Sequence, residues 1–433
     1  MRKEGRRRPG DRTRSGWQAG EDTGLKTGRW LAGGLGLLLA ASASIGVVAP
    51  MAAAAGHVHL TLWSGFEPKE INVIRFEANQ WAKRTGNSVT VLPNPGSFQS
   101  FATAAASGKG PDVVIGLPHD NLGPFVAAKL LAPVPKGTID TKAYVPGAIS
   151  AVTFGHTMYA IPISVESYAL FYNKKLVKTP PKTFTQLIAM ARSMTHGGQY
   201  GFVYDITNFY YSYAVIRGFG SYLFGGPATN PDPGKIGLDD AAGVKALAFL
   251  GSLVTKDHLM PPDINTTSME QLFSRGKAAM IIDGPWDVNG YLADKIDLGV
   301  APLPKLPNGH DMVPFSGVYT AFVSAMSKHQ ALDWQLIRYI LQYGSVALYQ
   351  AGQRIPAVSA MADSKTVTDN PYSRVFAYEV RHAEPMPKIS AMATVWTPAQ
   401  DAIDLVITGR ESPAAAAAKE VQQLHAAIAQ AVK

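Results

Sequence analysis

The side chains here that could do chemistry are isolated carboxylates and clustered aromatics. Foremost is Glu166, inside the stretch Ile161–Lys175 (IPISVESYALFYNKK), where it stands between two apolar, β-rich runs. A charge in that setting needs a partner, from the protein or from a ligand. The plain alternative is an acidic residue on an edge strand. The other candidates stand where expected strands give way to helices, the places where ligands sit in α/β sheets. His119-Asp120 follows the run DVVIG, and Asn208-Phe209-Tyr210-Tyr211-Ser212-Tyr213 is dense in rings and hydrogen-bonding groups. Trp286 follows AAMII, and Trp396 lies in a mixed polar and apolar stretch. Flat rings beside carboxylates and amides suit a sugar, whose C–H face packs on a ring while its hydroxyls donate to acceptors. A carboxylate acceptor makes that bond charge-assisted. Each feature also has an ordinary reading: tryptophans fill cores, tyrosines pack at helix starts, and His119-Asp120 can simply open a helix.

Other chemistries are poorly supplied. There is no Gly-x-Ser-x-Gly, no phosphate-binding glycine loop and no His-Glu-x-x-His. The ten histidines are scattered, with His57 and His59 the closest pair, so neither a metal site nor a cofactor is expected. The absence of cysteine excludes disulfides, thiol catalysis, Cys-ligated metal and lipid attachment through an N-terminal cysteine. Of 40 Lys/Arg and 32 Asp/Glu, residues 1–56 hold nine and four, which leaves 31 and 28 elsewhere. The net charge of +8 is therefore concentrated at the N-terminus, and nucleic-acid binding has no electrostatic support beyond it. That terminus reads as an export signal: basic residues (Arg6-Arg7-Arg8, Lys26, Arg29), an apolar run from Trp30 to about Pro50, then Ala52-Ala53-Ala54-Ala55-Gly56. The small-residue patch favours cleavage, and the length of the apolar run also suits a retained membrane anchor.

The elements that must position the candidates follow from periodicity. VHLTLW from Val58 alternates as a strand, and Ile71, Ile74, Ala78 and Trp81 form the buried stripe of a helix stopped by Gly86. Ser88–Leu92 is a second strand, Phe98–Ser107 a helix, and Asp112–Gly116 a short run typical of a buried parallel strand. Thr183-Phe-Thr-Gln186 opens a helix, Asp239 or Asp240 caps another, and Ser268-Met-Glu-Gln271 opens a third. Ala278–Ile282 and Val313–Val323 are β-rich, a helix carries Trp334, Ile337, Ile340 and Leu341, and the alanine-rich C-terminus from Ser412 is helical. Strands alternating with helices indicate an α/β architecture with a parallel sheet. No repeat or low-complexity linker divides the chain into sequential domains.

In order along the chain, these anchors resemble the bacterial extracellular solute-binding proteins of sugar ABC transporters, in the maltose/maltodextrin branch. The anchors are Gly108-Lys-Gly-Pro-Asp-Val-Val, His119-Asp120, Ile161-Pro-Ile-Ser-Val-Glu-Ser with Phe171-Tyr-Asn-Lys, Asp283-Gly-Pro-Trp, Pro314-Phe-Ser-Gly-Val, and Glu384-Pro-Met-Pro followed by Val395-Trp396. The resemblance runs from about Leu60 to about Gly409. It implies a periplasmic-binding-protein-like fold of two discontinuous α/β lobes with a hinge and a ligand cleft between them. Lobe 1 would comprise about 57–163 plus 320–355, and lobe 2 about 164–319 plus 356–433, after the N-terminal segment 1–56. It further implies a monomer that is not an enzyme, exported to the periplasm or cell surface, which passes an oligosaccharide to a membrane permease.

By resemblance, Asp120, Glu166 and Tyr210 match polar sugar contacts, and Tyr211, Trp286 and Trp396 match aromatic platforms. Glu67 and Asn208 complete the expected set at positions where this sequence departs from the pattern. The Asp-Lys of the first loop is here Ser64-Gly65-Phe66-Glu67, and a glutamate two residues before Tyr210 is Asn208. Asn121 replaces an arginine after His-Asp, and the tryptophan before that dipeptide is missing. An α-glucan is the first expectation and another di- or oligosaccharide the next. A glycoside hydrolase using Glu67, Asp120 and Glu166, or a ferric-ion binder using Tyr210 and Tyr211, are the rival readings. With Glu166 a ligand contact, its replacement by alanine should spare the stability of the empty protein.

Overall fold

The computed structural model describes residues 56–94, 99–145, 147–227 and 230–431. The basic and apolar N-terminal segment lies outside the described residues. The first half alternates as expected: β1 (His59–Ser64), α1 (Pro68–Thr85), β2 (Ser88–Pro93), α2 (Gln99–Ala106), β3 (Val113–Pro118), then β4 (Ile161–Glu166) and β5 (Ala169–Asn173). There follow α3 (Phe184–Met194), α4 (Phe209–Gly218), α5 (Ala241–Thr255), α6 (Thr266–Ser274), β6 (Met280–Asp283), β7 (Leu298–Ala301) and β8 (Phe315–Val323). The long α7 (Gln330–Gly352), β9 (Ile355–Pro356), β10 (Glu384–Pro385), α8 (Trp396–Ile407) and α9 (Pro413–Ala431) complete the frame.

Two sheets organise two α/β lobes. The larger runs β9-β4-β8-β3-β1-β2, with β10 beside β8; the smaller runs β6-β5-β7. Neighbouring residues of β3 serve opposite faces of the large sheet, as a pleated strand requires. Val113 and Ile115 join Leu60, Leu62, Trp81 and Ile337 under α1 and α7, whereas Val114 packs with Phe101, Phe125 and Phe322, and a bulge at Gly116 turns Leu117 to that second face as well. The small sheet supports a separate core holding Phe171, Phe209, Ile281, Phe376 and Leu424.

The stretch Ile161–Lys175 is the switch between the sheets: it holds β4 of the large sheet and β5 of the small one, separated by Ser167 and Tyr168. The Ser167 hydroxyl donates to the Phe315 carbonyl at 2.9 Å and fastens this switch to the start of β8. β8 crosses too, since Phe315 stacks on Tyr213 at 3.7 Å while Val323 lies in the large-sheet core.

Three local expectations change. β1–β2 and β1–β3 pair in parallel as expected, and β10 adds a short parallel pairing to β8, while β8 runs antiparallel to both β3 and β4. In the small sheet β5 is central and antiparallel to both neighbours. Helix α6 starts earlier than Ser268: Asn265 is its N-cap, and Ser268 sits at the third position of a capping box, its amide donating to Asn265 Oδ1 at 3.0 Å.

Candidate functional site

Glu166 ends β4 and is 5% exposed. Its partner is Arg354, which follows α7 and donates through Nε to Glu166 Oε2 at 2.7 Å. The same guanidinium donates through Nη1 to Glu70 of α1, itself 1% exposed. Glycine at 352 makes room for this, since a Cβ there would lie 2.1 Å from Glu70 Oε1. One positive charge thus serves two buried carboxylates. Burial pushes the Glu166 carboxyl up to about 7 even though Arg354 pulls it down. The guanidinium is boxed by rings, its carbon lying 4.7 Å from the Tyr319 centroid, 5.2 Å from Phe66 and 5.6 Å from Trp286. Phe66 and Tyr319 stack on each other at 5.1 Å. The edge-strand alternative falls here, because β4 has a strand on each side, and the ion pair to Arg354 gives Glu166 a partner within the protein that argues against its being dispensable for stability.

Asp120 is equally buried but differently placed. It lies in the turn His119–Asn121 directly after β3. His119 holds that turn rigidly: Nδ1 accepts from the Val318 amide at 3.1 Å, which leaves Nε2–H to donate to the Met386 carbonyl at 3.0 Å. Burial drives the imidazole down to about 4, so it is neutral. Asp120 Oδ1 accepts from Asn121 Nδ2 at 3.2 Å, and no cation is paired with it among the described residues. Burial pushes it up to about 7. Tyr210, from the first turn of α4 in the small-sheet lobe, lies within electrostatic reach of this group. Burial raises its phenol far above the ordinary value, with Glu166, Tyr168, Tyr319 and Asp120 adding to the rise. The Tyr210 hydroxyl is buried and has no hydrogen-bond partner. Groups from both lobes therefore lie within electrostatic reach of one another, and the Tyr210 hydroxyl is unsatisfied among the described residues.

Trp286 enters from the small-sheet lobe in the turn Pro285–Asp287, half-buried over Gly284. A Cβ on Gly284 would lie 2.1 Å from the indole, so only glycine lets the ring fold back there. Beneath it, Glu270, Asp283 and Asp287 bring carboxylate oxygens within 4.8 Å of one another. Tyr291 donates to Asp283 Oδ2 at 2.5 Å. Burial, then Asp287, raise Asp283 well above its usual range, and Asp287 itself goes up to about 6. Glu67, exposed at the N-terminus of α1, adds to the negative potential felt by Glu166, Glu270 and Asp287.

The remaining expected residues take supporting positions. Tyr211 is 3% exposed, wedged edge-on against Tyr168 and Tyr210, and its hydroxyl reaches toward Asp283 at 3.5 Å. It offers no open face, because one step along a helix turns a side chain by about 100° and takes it off the face of Tyr210. Asn208 is the N-cap of α4, its Oδ1 accepting from the Tyr210 amide at 3.1 Å. Trp396 opens α8, half-buried, 6.4 Å from Phe209. Sequence reasoning missed Arg354, Glu70, Phe66 and Tyr319. The signal available was the demand of Glu166 for a cation, but nothing local pointed across 188 residues to Arg354.

Two α/β lobes, chain crossings between their sheets, and aromatic and polar groups converging from both sides define a two-lobed ligand-binding protein. The family model described as bacterial extracellular solute-binding protein matches residues 68–346, and the chain belongs to that family. It is 31% identical to a galactooligosaccharide-binding protein of Bacillus subtilis over 82% of this chain and 86% of that one. Its structure is similar to the maltose-maltodextrin binding protein of the thermoacidophilic bacterium Alicyclobacillus acidocaldarius (TM-score 0.81, 40% identity, 85% of this chain and 100% of that chain). It is also similar to the Thermus thermophilus maltotriose binding protein bound with maltotriose (TM-score 0.80, 31% identity, 85% and 100%). These relatives are binding proteins, and the family is an extracellular one.

Proposed function

We propose that this chain captures an oligosaccharide between its lobes outside the cytoplasmic membrane and presents it to an ABC-transporter permease, without chemistry on the sugar. The observation that carries this reading is the buried Tyr210 hydroxyl, unpartnered among the described residues and within electrostatic reach of Asp120, which lacks a cation. A bound sugar hydroxyl satisfies both groups, while Trp286, and Trp396 farther along, offer ring faces to its C–H surface. Glu166 contributes through Arg354 and through its remaining oxygen. The maltodextrin relatives favour an α-linked glucan, and the Bacillus subtilis relative makes a galactooligosaccharide the alternative. The family resemblance supports lobe boundaries near 163/164, 319/320 and 355/356, although β4 itself stays in the large sheet as far as Glu166. The protein acts as a monomer. The N-terminal segment serves as export leader or anchor, the small residues 52–56 favouring cleavage.

Neither rival class gains from the geometry. A hydrolase needs a free acid–base pair, and Glu166 is tied to Arg354. A ferric site needs phenolates, and burial raises both Tyr210 and Tyr211 in the opposite direction. Titrating the protein with maltotriose, maltotetraose and galactooligosaccharide while following tryptophan fluorescence tests the proposal. A saturable change with at least one of them is expected; no response to any oligosaccharide overturns it.

A further inference from the structure

The two lobes also meet away from the sugar groups. Asn289 lies one turn beyond Trp286, in the short helix Val288–Ala293, whose Val288 and Tyr291 are buried in the small-sheet core. Its Nδ2 donates to the carbonyls of Gln350 at 2.7 Å and Ala351 at 2.9 Å. Those carbonyls belong to the last turn of α7, a helix anchored in the large-sheet core by Trp334, Ile337, Ile340 and Leu348. The last four carbonyls of a helix have no partner within it. Here the chain turns at Gln353 with φ 56°, whose amide serves Tyr349 and whose side chain reaches Gln350 at 3.2 Å. The Ala351 carbonyl is served by Asn289. On the same rim, Lys69 of α1 makes a long contact of 3.5 Å to the Asn289 carbonyl.

We propose that Asn289 is a positioning residue for sugar capture: from one lobe, its amide caps the helix end of the other and so holds the closed arrangement. This rests on the reading of the cleft as a sugar site. An opening that draws Asn289 away from the end of α7 breaks both bonds and returns the carbonyls to water. Their contribution therefore enters the closed state alone and appears as differential affinity. The Asn289 side-chain bonds go to Gln350 and Ala351 and to none of Asp120, Tyr210, Glu270, Asp283 or Asp287 among the described residues, so its effect falls on release of ligand rather than on encounter.

The test is stopped-flow binding of maltotriose to the wild type, Asn289→Ala, Asn289→Asp and Asn289→Gln, with thermal melts of each sugar-free protein. Two net hydrogen bonds correspond to a rise in dissociation rate of about tenfold in Asn289→Ala, with the association rate within about twofold. Asn289→Asp, which sets a carboxylate against two carbonyls at a helix C-terminus, should release sugar faster still. Asn289→Gln, which keeps the donor, should recover part of the loss. Unchanged dissociation rates in Asn289→Ala and Asn289→Asp overturn the proposal, and so does a lowered sugar-free melting temperature with unchanged dissociation, which marks an ordinary helix cap. A wild type that responds to no oligosaccharide overturns the parent reading and this one with it.

Discussion

The ends of β3 and β4 present two carboxylates of the same burial and opposite employment. Glu166, at the end of β4, is locked to Arg354 among three aromatic rings; Asp120, just past β3, accepts from the amide of its neighbour Asn121 and has no cation beside it among the described residues. Both carboxyls are pushed up to about 7 by burial. Glu166 has a guanidinium as its partner on one oxygen, whereas Asp120 has no cation paired with it among the described residues. A raised pKa therefore does not separate a structural acid from a binding one, and the separating feature is whether the protein itself supplies the counter-charge.

The contrast breaks most visibly at the shared cation. Arg354→Met leaves Glu70 and Glu166 buried together without a counter-charge, and should destabilise the sugar-free protein by about 3–5 kcal/mol in denaturant unfolding. Glu166→Gln is the smaller lesion, because Arg354 keeps Glu70. A loss of about 1–3 kcal/mol is expected, the cost of one charge-assisted bond. Asp120→Asn reverses the pattern. The melting temperature of the empty protein should be unchanged or slightly higher, while oligosaccharide affinity drops by about 10–100-fold in titration calorimetry. Tyr210→Phe removes a hydroxyl the empty protein leaves unpaired, so affinity should fall about 2–10-fold with no loss of stability.

The pH responses of stability and affinity should oppose each other. Glu166 and Asp120 titrate near 7 in the folded state, above their ordinary values of 4.5 and 3.8, so the folded protein binds more protons than the unfolded one between those limits. Their contribution to stability is full below about 4 and is lost as pH rises through 7. Charge-assisted acceptance of sugar hydroxyls by Asp120 needs the ionised form, so affinity should fall as pH drops from 8 to 6. Melting temperatures and calorimetric titrations across that range check both signs.

Much of the frame is legible in residue pattern alone. The stripe Ile71, Ile74, Ala78 and Trp81 is buried as its spacing requires, and Gly86 ends α1 with φ 73°. Asp120 and Trp286 stand at strand ends, where the alternation of strands and helices places them. What pattern cannot carry is pairing at long range. Glu166 announces that it needs a cation, but Arg354 is 188 residues away and looks like any arginine at a helix end. The antiparallel small sheet is hidden for a similar reason: a short apolar run such as MIID reads the same in either direction. Tyr210 and Tyr211 look equivalent in sequence, and only the orientation of α4 decides which ring is buried.

The central claim is that one oligosaccharide is held by both lobes at once. A crystal structure of the mature chain grown with maltotriose, or with whichever sugar gives the fluorescence change, tests it most directly. The expected result is a sugar whose hydroxyls reach Asp120 from the large-sheet lobe and Tyr210 from the small-sheet lobe, with Trp286 against its face. A sugar bound to one lobe alone, or elsewhere on the surface with the Tyr210 hydroxyl still unpaired, would contradict it.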